Sequence, residues 1–194
     1  MKAVSIKQPW ASLICTPRED NPKLGIKDIE NRTWKTHFRG RVYVHVSAKS
    51  AGSTLYLLTP QQWNEWDSHI KKLKHFPNYN FSAIIGEVDI IDCVINHSSI
   101  WAEKTEIPAG TYMGEKPIYN WVLANPVLYD KPILNVKGKL SFWHPDNDIV
   151  ECIGCSQKFD SATMHQDESE EHFCNECWEE LSPVMIQETK ENKL

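Results

Sequence analysis

Two groups of residues have the types and spacing to do chemistry. The first is a pair of C-x-x-C motifs near the C-terminus, Cys152/Cys155 and Cys174/Cys177, with 18 residues between them, a spacing expected of a four-thiolate zinc module. Each motif wraps a turn around one tetrahedral ion, and the metal lowers the thiol pKa so that thiolates bind at neutral pH. A redox dithiol needs only one such pair, and a catalytic zinc keeps one position open for water. Four sulfur ligands therefore predict a structural zinc, with His165 and His172 as dispensable substitutes. The second group is Gly25 to Lys35, GIKDIENRTWK, which concentrates charge on a short stretch. Read as a strand, it points Asp28, Glu30, Arg32 and Trp34 to one side and Ile29, Asn31, Thr33 and Lys35 to the other. Glu30 and Arg32 then lie on one face within about 7 Å, each able to offset the other's desolvation.

The chain that must position these groups has 194 residues, 41% hydrophobic and 24% charged, enough for one ordinary domain plus a small appendage. No apolar run approaches a bilayer span, and the N-terminus lacks an uninterrupted apolar stretch. The expectation is a cytoplasmic protein with no membrane partner, in which disulfides are disfavoured. Cys15 and Cys93 then read as buried small hydrophobes. Charge is unevenly divided: residues 1–147 hold 18 Lys and Arg against 14 Asp and Glu, whereas 148–194 hold 3 against 12. The first part, at +4, permits an anionic ligand; the second, at -9, is a poor phosphate binder and a candidate for protein contact or stabilisation. With few aliphatics in about 45 residues, that second part needs its metal in order to fold. CNECWEELSP starts a helix whose dipole favours thiolates at its N-terminus, and the whole resembles a treble-clef or zinc-ribbon finger.

Along the first part, Lys2 to Ile6 starts a strand and Pro9 opens a short helix that stops near Cys15. Arg41 to Lys49 is the clearest strand, with Val42, Val44, Val46 and Ala48 on one face. Arg41, Tyr43, His45, Ser47 and Lys49 occupy the other, which is expected to meet water or a ligand. Pro60 to Lys74 reads as an amphipathic helix capped by Thr59, with Trp63, Trp66, Ile70 and Leu73 as a core stripe. Phe81 to Ile95 is a strand bent at Gly86, placing Ile84, Val88, Ile90 and Val94 opposite Glu87 and Asp89; Tyr119 to Leu128 and Lys139 to Trp143 supply two more. This mixture predicts an α+β chain built on a small mixed β-barrel with flanking helices. Its expected layout is the barrel over 1–147, the finger over 148–185 and a flexible tail over 186–194.

Five blocks occur in order: SIKQPWASLI from Ser5; G-x-K-x-x-E-x-R at Gly25, Lys27, Glu30 and Arg32; RTWKTHFRGRVYVHVSAK from Arg32; YNWVLANP from Tyr119; and KGKLSFW from Lys137. Together they resemble the ASCH domain over roughly residues 1–145. The resemblance implies a PUA-like barrel, RNA binding, and a cleft lined by Lys27, Glu30 and Arg32, with Lys7 or Gln8 and with His45, Ser47 and Lys49 beside it. Such a set suits RNA or a nucleotide. Arg offers a donor fork to phosphate or base, Lys a point charge, Glu an acceptor, and Trp34 or Tyr43 a stacking surface. The alternative for Glu30 and Arg32 is an internal ion pair that fixes the barrel. Some relatives in the family are amidohydrolases of acetylated cytidine that use a lysine, a threonine three positions later and a distant glutamate. Lys27 matches the lysine, Glu30 stands where the threonine would be, and Glu87 is a loose match for the glutamate. Others are ribonucleases, for which His45, Tyr43, Lys27 and Lys49 could supply the base and the acid; over the two enzyme readings the catalytic candidates are Lys27, Glu30 and His45. A third reading makes the acidic finger a protein-interaction adaptor.

Overall fold

A computed structural model describes residues 1–52, 57–70, 80–106, 116–145 and 149–180. The first part is a six-stranded mixed sheet in the order β2-β5-β4-β3-β1-β6. Its strands are β1 (Ala3–Ile6), β2 (Ile29–Arg32), β3 (Gly40–Val46), β4 (Ala83–Val94), β5 (Tyr119–Ile133) and β6 (Phe142–Trp143). β1 and β3 run parallel and every other neighbouring pair is antiparallel. Helix α1 (Trp10–Cys15) lies against the sheet through Ala11, Ile14 and Cys15, and α2 is Pro60–Ile70.

The sheet curls until its two edges approach each other. Trp34, just past edge strand β2, sits edge-on to Trp121 at 4.6 Å and to Phe142 of the opposite edge strand at 5.5 Å. Trp121 stacks on Phe142 at 5.2 Å. Such rings bury large areas and favour these offset and edge-on arrangements. Inside the curl, Val4, Ile6, Val42, Val44, Val46, Val88, Ile90 and Leu123 form the core with α1. This barrel is the architecture the sequence predicts.

Several elements differ from expectation in extent. β5 runs on to Ile133, and β6 is only Phe142–Trp143, because the chain from Leu134 to Ser141 leaves the sheet. Period-two reading across β4 fails at its bulges. The register with β5 shifts between Ile84 and Gly86, so Ile85 and Val88 face inward while Ile84 faces outward. At Gly86 a Cβ would lie 2.0 Å from the Val127 carbonyl oxygen, so the bulge requires glycine there. For α2, Thr59 and Gln62 form a reciprocal cap, as expected of Thr59; residues 71–74 of the predicted helix lie outside the described residues.

The outer face of β3 corrects the expectation most. Tyr43 and His45 are not open to water: they are buried under the returning segment 133–143, with Ala3, Ile84, Ile133, Val136 and Trp143. Ile149 packs on this same layer and so seats the C-terminal part against the barrel. His45 is 1% exposed. Its Nε2–H donates to the Val136 carbonyl (2.9 Å) and its Nδ1 faces Ser5 Oγ (3.1 Å). Burial pushes its pKa below the ordinary 6.5, against an opposing pull from the Val136 carbonyl. The unfolded chain therefore takes up a proton at His45 before the folded chain does. Stability falls as pH drops below about 6.5 through the lower folded-state value. In denaturant titrations His45→Gln should remove that component of the acid loss while leaving the other components in place.

Candidate functional site

The G-x-K-x-x-E-x-R motif is built outward from the end of α1. At Gly25 a Cβ would stand 2.3 Å from the Ile14 carbonyl oxygen, so only glycine lets the loop fold back this closely. That approach allows the Ile26 N–H to bond Thr16 O and the Lys27 N–H to bond Leu13 O, both at 3.0 Å. Ile26 and Ile29 enter a third apolar cluster with Leu13, Leu58 and Trp101. Lys27 and Glu30 are thereby placed on the side between them.

Lys27 is 4% exposed. Its ammonium donates to the Ile29 carbonyl, lies 3.3 Å from Glu30 Oε2, and sits 5.6 Å from the Trp10 ring centroid. Burial lowers its pKa; Glu30 offsets part of that and Arg32 adds to it. The other Glu30 oxygen pairs with Arg32 Nε at 3.0 Å. Arg32 then donates from its terminal nitrogen to the Ser5 carbonyl of β1 at 2.8 Å and lies over Trp121. A continuous relay, Lys27–Glu30–Arg32–Ser5, thus crosses from the edge strand β2 to β1.

Lys27 and Glu30 line a cavity of about 360 Å³, together with Trp10, Asn31, Gln62, Trp101 and Glu103. Asn31 ties its wall, donating to Trp101 O (2.9 Å) and accepting from Asn120 Nδ2 (2.9 Å) and from the Glu103 N–H (3.1 Å). Gln62 of α2 donates to Ile100 O (2.8 Å), which joins α2 to the same wall. Trp101 is 3% exposed, and its indole N–H has no acceptor among the described residues.

The remaining residues singled out from sequence fall into separate places. Arg32 stands behind Glu30 and does not line the cavity. Lys7 and Lys49 are exposed where β1 and β3 end side by side, joined by Ser47 N–H to Ile6 O (2.9 Å) and Ala51 N–H to Gln8 O (2.7 Å). Gln8 is buried, and its Oε1 accepts from the Ser12 N–H, serving the first turn of α1. Trp34 is engaged in the barrel-closing aromatic cluster. His45 lies on the outer layer with both ring nitrogens occupied. Glu87 accepts from Tyr129 and lies 3.6 Å from Arg41 and 4.0 Å from Lys158, none of which lines the cavity. Sequence reasoning missed Trp101, Asn31 and Glu103 as cavity walls. Asn31 sat inside the motif, but the loop carrying the other two has no periodicity to mark it.

The cysteines converge as their spacing requires. All four sulfur atoms lie within 4.8 Å of one another. Cys152 to Cys155 form a knuckle between β7 (Ile149–Glu151) and β8 (Lys158–Asp160). Cys174 follows the hairpin of β9 (His165–Gln166) and β10 (His172–Phe173), and residues 175–180, which include Cys177, are helical. This knuckle, hairpin and helix give the treble-clef order. A Cβ on Gly154 would be 2.9 Å from Cys177 Sγ, so the knuckle needs a residue without one. The Cys152 thiol is drawn down to about 6: burial opposes this, but the N–H groups of Cys174, Cys155 and Gly154 outweigh it. Cys155 is pushed up, mainly by burial, and Cys177 is pushed up mainly by its hydrogen bond with Cys174. Such a cluster is compatible with a metal ion.

The ASCH domain model matches residues 4–133 of the chain. The chain belongs to the ASCH domain family. Its curled mixed sheet is the PUA-like barrel that the family implies. Among curated proteins it is similar to Activating signal cointegrator 1 of Homo sapiens, 29% identical over 153 residues that cover 75% of this chain and 22% of the relative. It is also similar to Activating signal cointegrator 1 of Mus musculus, 33% identical over 96 residues that cover 47% of this chain and 14% of the relative. The chain therefore spans less than a quarter of the length of the curated relatives it matches. No helix among the described residues is long and apolar enough to cross a membrane.

Proposed function

We propose that this ASCH chain is an RNA- or nucleotide-binding module whose Lys27–Glu30 cavity receives a base while the cations outside hold phosphate. The observation that carries the reading is the cavity's make-up. It is large enough for one base, walled by the indoles of Trp10 and Trp101, and floored by a buried ion pair. Its carboxylates, Glu30 and Glu103, accept hydrogen bonds and repel phosphate. Trp101 carries a donor that has no acceptor among the described residues. Phosphate is served instead by Lys7 and Lys49, which are exposed, and by the partly exposed Arg32. Affinity of the full chain for short single-stranded RNA should fall linearly with the logarithm of salt concentration. Replacing both Lys7 and Lys49 by Ala should reduce that slope by roughly 1.4, about 0.7 for each lost phosphate contact. Binding that ignores salt, or that the double replacement leaves unchanged, would remove the reading.

We further propose that the ion held by Cys152, Cys155, Cys174 and Cys177 is zinc in a structural role. A tetrahedral site with bonds of about 2.3 Å has sulfur–sulfur edges of about 3.8 Å, and Cys155 and Cys174 already stand 3.9 Å apart. Four protein sulfurs complete the coordination, leaving no position for substrate. Phe173 and His165 pack on Trp178 as the small core that the ion would staple. Chelation of the purified protein should release one equivalent of zinc, expose four titratable thiols and open the segment around 149–180 to protease. An unchanged protease pattern after chelation would contradict this role.

A further inference from the structure

Most of the polar groups around the Lys27–Glu30 cavity are already engaged within the protein. Lys27 and Arg32 each take one oxygen of Glu30. The Asn31 amide nitrogen donates to Trp101 O (2.9 Å) and to Glu103 Oε1 (3.4 Å), and its carbonyl accepts from Asn120 Nδ2 and from the Glu103 N–H. Gln62 accepts from the Thr59 N–H (3.0 Å) and donates to Ile100 O (2.8 Å). The Glu103 carboxylate is different. Apart from its long contact with Asn31 it makes no hydrogen bond or ion pair among the described residues, and it lines the cavity.

An exposed glutamate is ordinary surface. This one stands on a backbone held on both sides: its N–H donates to Asn31 Oδ1 (3.1 Å), and its carbonyl accepts from Asn120 Nδ2 (3.1 Å). Asn120 is fully buried and is itself fixed by the His97 N–H (2.9 Å). At the ends of the same loop the Asn96 side chain donates to Thr105 O (3.1 Å) and accepts from the Thr105 N–H (2.8 Å). Side-chain amides thus close the loop over 96–105 and hold its acid at the cavity before any ligand arrives, which lowers the ordering cost of a contact there.

A carboxylate accepts and cannot donate, and its two oxygens suit two adjacent N–H groups. Among the RNA bases only guanine presents such a pair, N1–H beside the exocyclic N2 amine. Adenine and cytosine set a ring-nitrogen lone pair beside their amine, which a carboxylate oxygen repels, and uracil flanks its one N–H with carbonyls. An arginine guanidinium also offers paired donors, but it would add positive charge to a cavity that already holds Lys27, with Arg32 behind Glu30. Guanine is neutral, and Lys27 and Thr59 line the same cavity with donors for its O6.

We infer that the cavity selects guanine, with the Glu103 carboxylate receiving its N1–H and its N2 amine. This rests on the base-binding reading above and adds the identity of the base. The test uses the full chain and labelled oligouridylates whose central base is guanine, hypoxanthine, adenine or cytosine, with anisotropy read across a salt series. The guanine oligomer should bind about tenfold or more tighter than the adenine and cytosine oligomers, and hypoxanthine, which keeps N1–H but lacks the amine, should fall between. Glu103→Gln presents one acceptor and one donor in place of two acceptors, so it should erase the advantage of guanine over hypoxanthine. It should leave the salt slope and the urea midpoint unchanged, because the side chain is exposed and the two asparagines still hold the backbone.

If the wild type binds every oligomer equally and with salt dependence, the guanine assignment is wrong and the RNA-binding reading stands. If it binds none of them, both fall. A guanine preference that survives Glu103→Gln belongs to another group and overturns the inference. So does displacement of the guanine oligomer by N-acetylarginine amide at the concentration at which guanosine monophosphate displaces it.

Discussion

An ammonium almost sealed from water has to be neutralised where it stands, and the arrangement that neutralises Lys27 organises this barrel. Glu30 takes one side of the charge, the Ile29 carbonyl another, and Arg32 carries the balance outward to the Ser5 carbonyl. Breaking such a set leaves an uncompensated buried charge, which costs roughly 3–5 kcal/mol. The relay thus does what the aromatic cluster of Trp34, Trp121 and Phe142 does by packing. Both hold the free edge at β2 against the far side of the sheet. The cavity exists because the relay holds Lys27 and Glu30 at its floor while Asn31 binds the facing loop.

The two faces of the sheet have divided the work. The inner face is apolar and carries α1; the outer face buries Tyr43 and His45 under the returning chain and accepts Ile149 from the cysteine-bearing part. Glu87 marks the joint, gathering Tyr129, Arg41 and Lys158 around one carboxylate. Burial, followed by that carboxylate, raises the pKa of Tyr43, and burial with the Glu87 hydrogen bond raises that of Tyr129, so both phenols stay protonated and Tyr129 donates to Glu87. The acidic C-terminal part is therefore seated on the barrel through apolar contact and a few polar ties.

Local patterns carried well from sequence to structure. The cysteine spacing, the Thr59 cap, the burial of Cys15 and Cys93 and the alternation of Val42, Val44 and Val46 are all marked by residue type and short-range spacing. What did not carry over depends on the third dimension. His45 looked like an exposed polar group because period two cannot reveal that segment 133–143 returns over it. Trp34 looked like a stacking surface, yet its partners lie 87 and 108 positions away in the chain. The β4 bulges exchanged the faces of Ile84 and Ile85, which only pairing with β5 decides. Within the motif, residue types identified the charged set, while the division between cavity wall and supporting relay followed from how Gly25 lets the chain return to α1.

Urea unfolding of the Glu30→Gln protein beside the wild type is the most direct measurement of the relay, since the substitution keeps the shape while removing the charge that Lys27 and Arg32 share and turning one of its two acceptor oxygens into a donor. The account predicts a stability loss of roughly 3–5 kcal/mol. A variant within about 0.5 kcal/mol of the wild type, the scatter of an ordinary surface change, would contradict it.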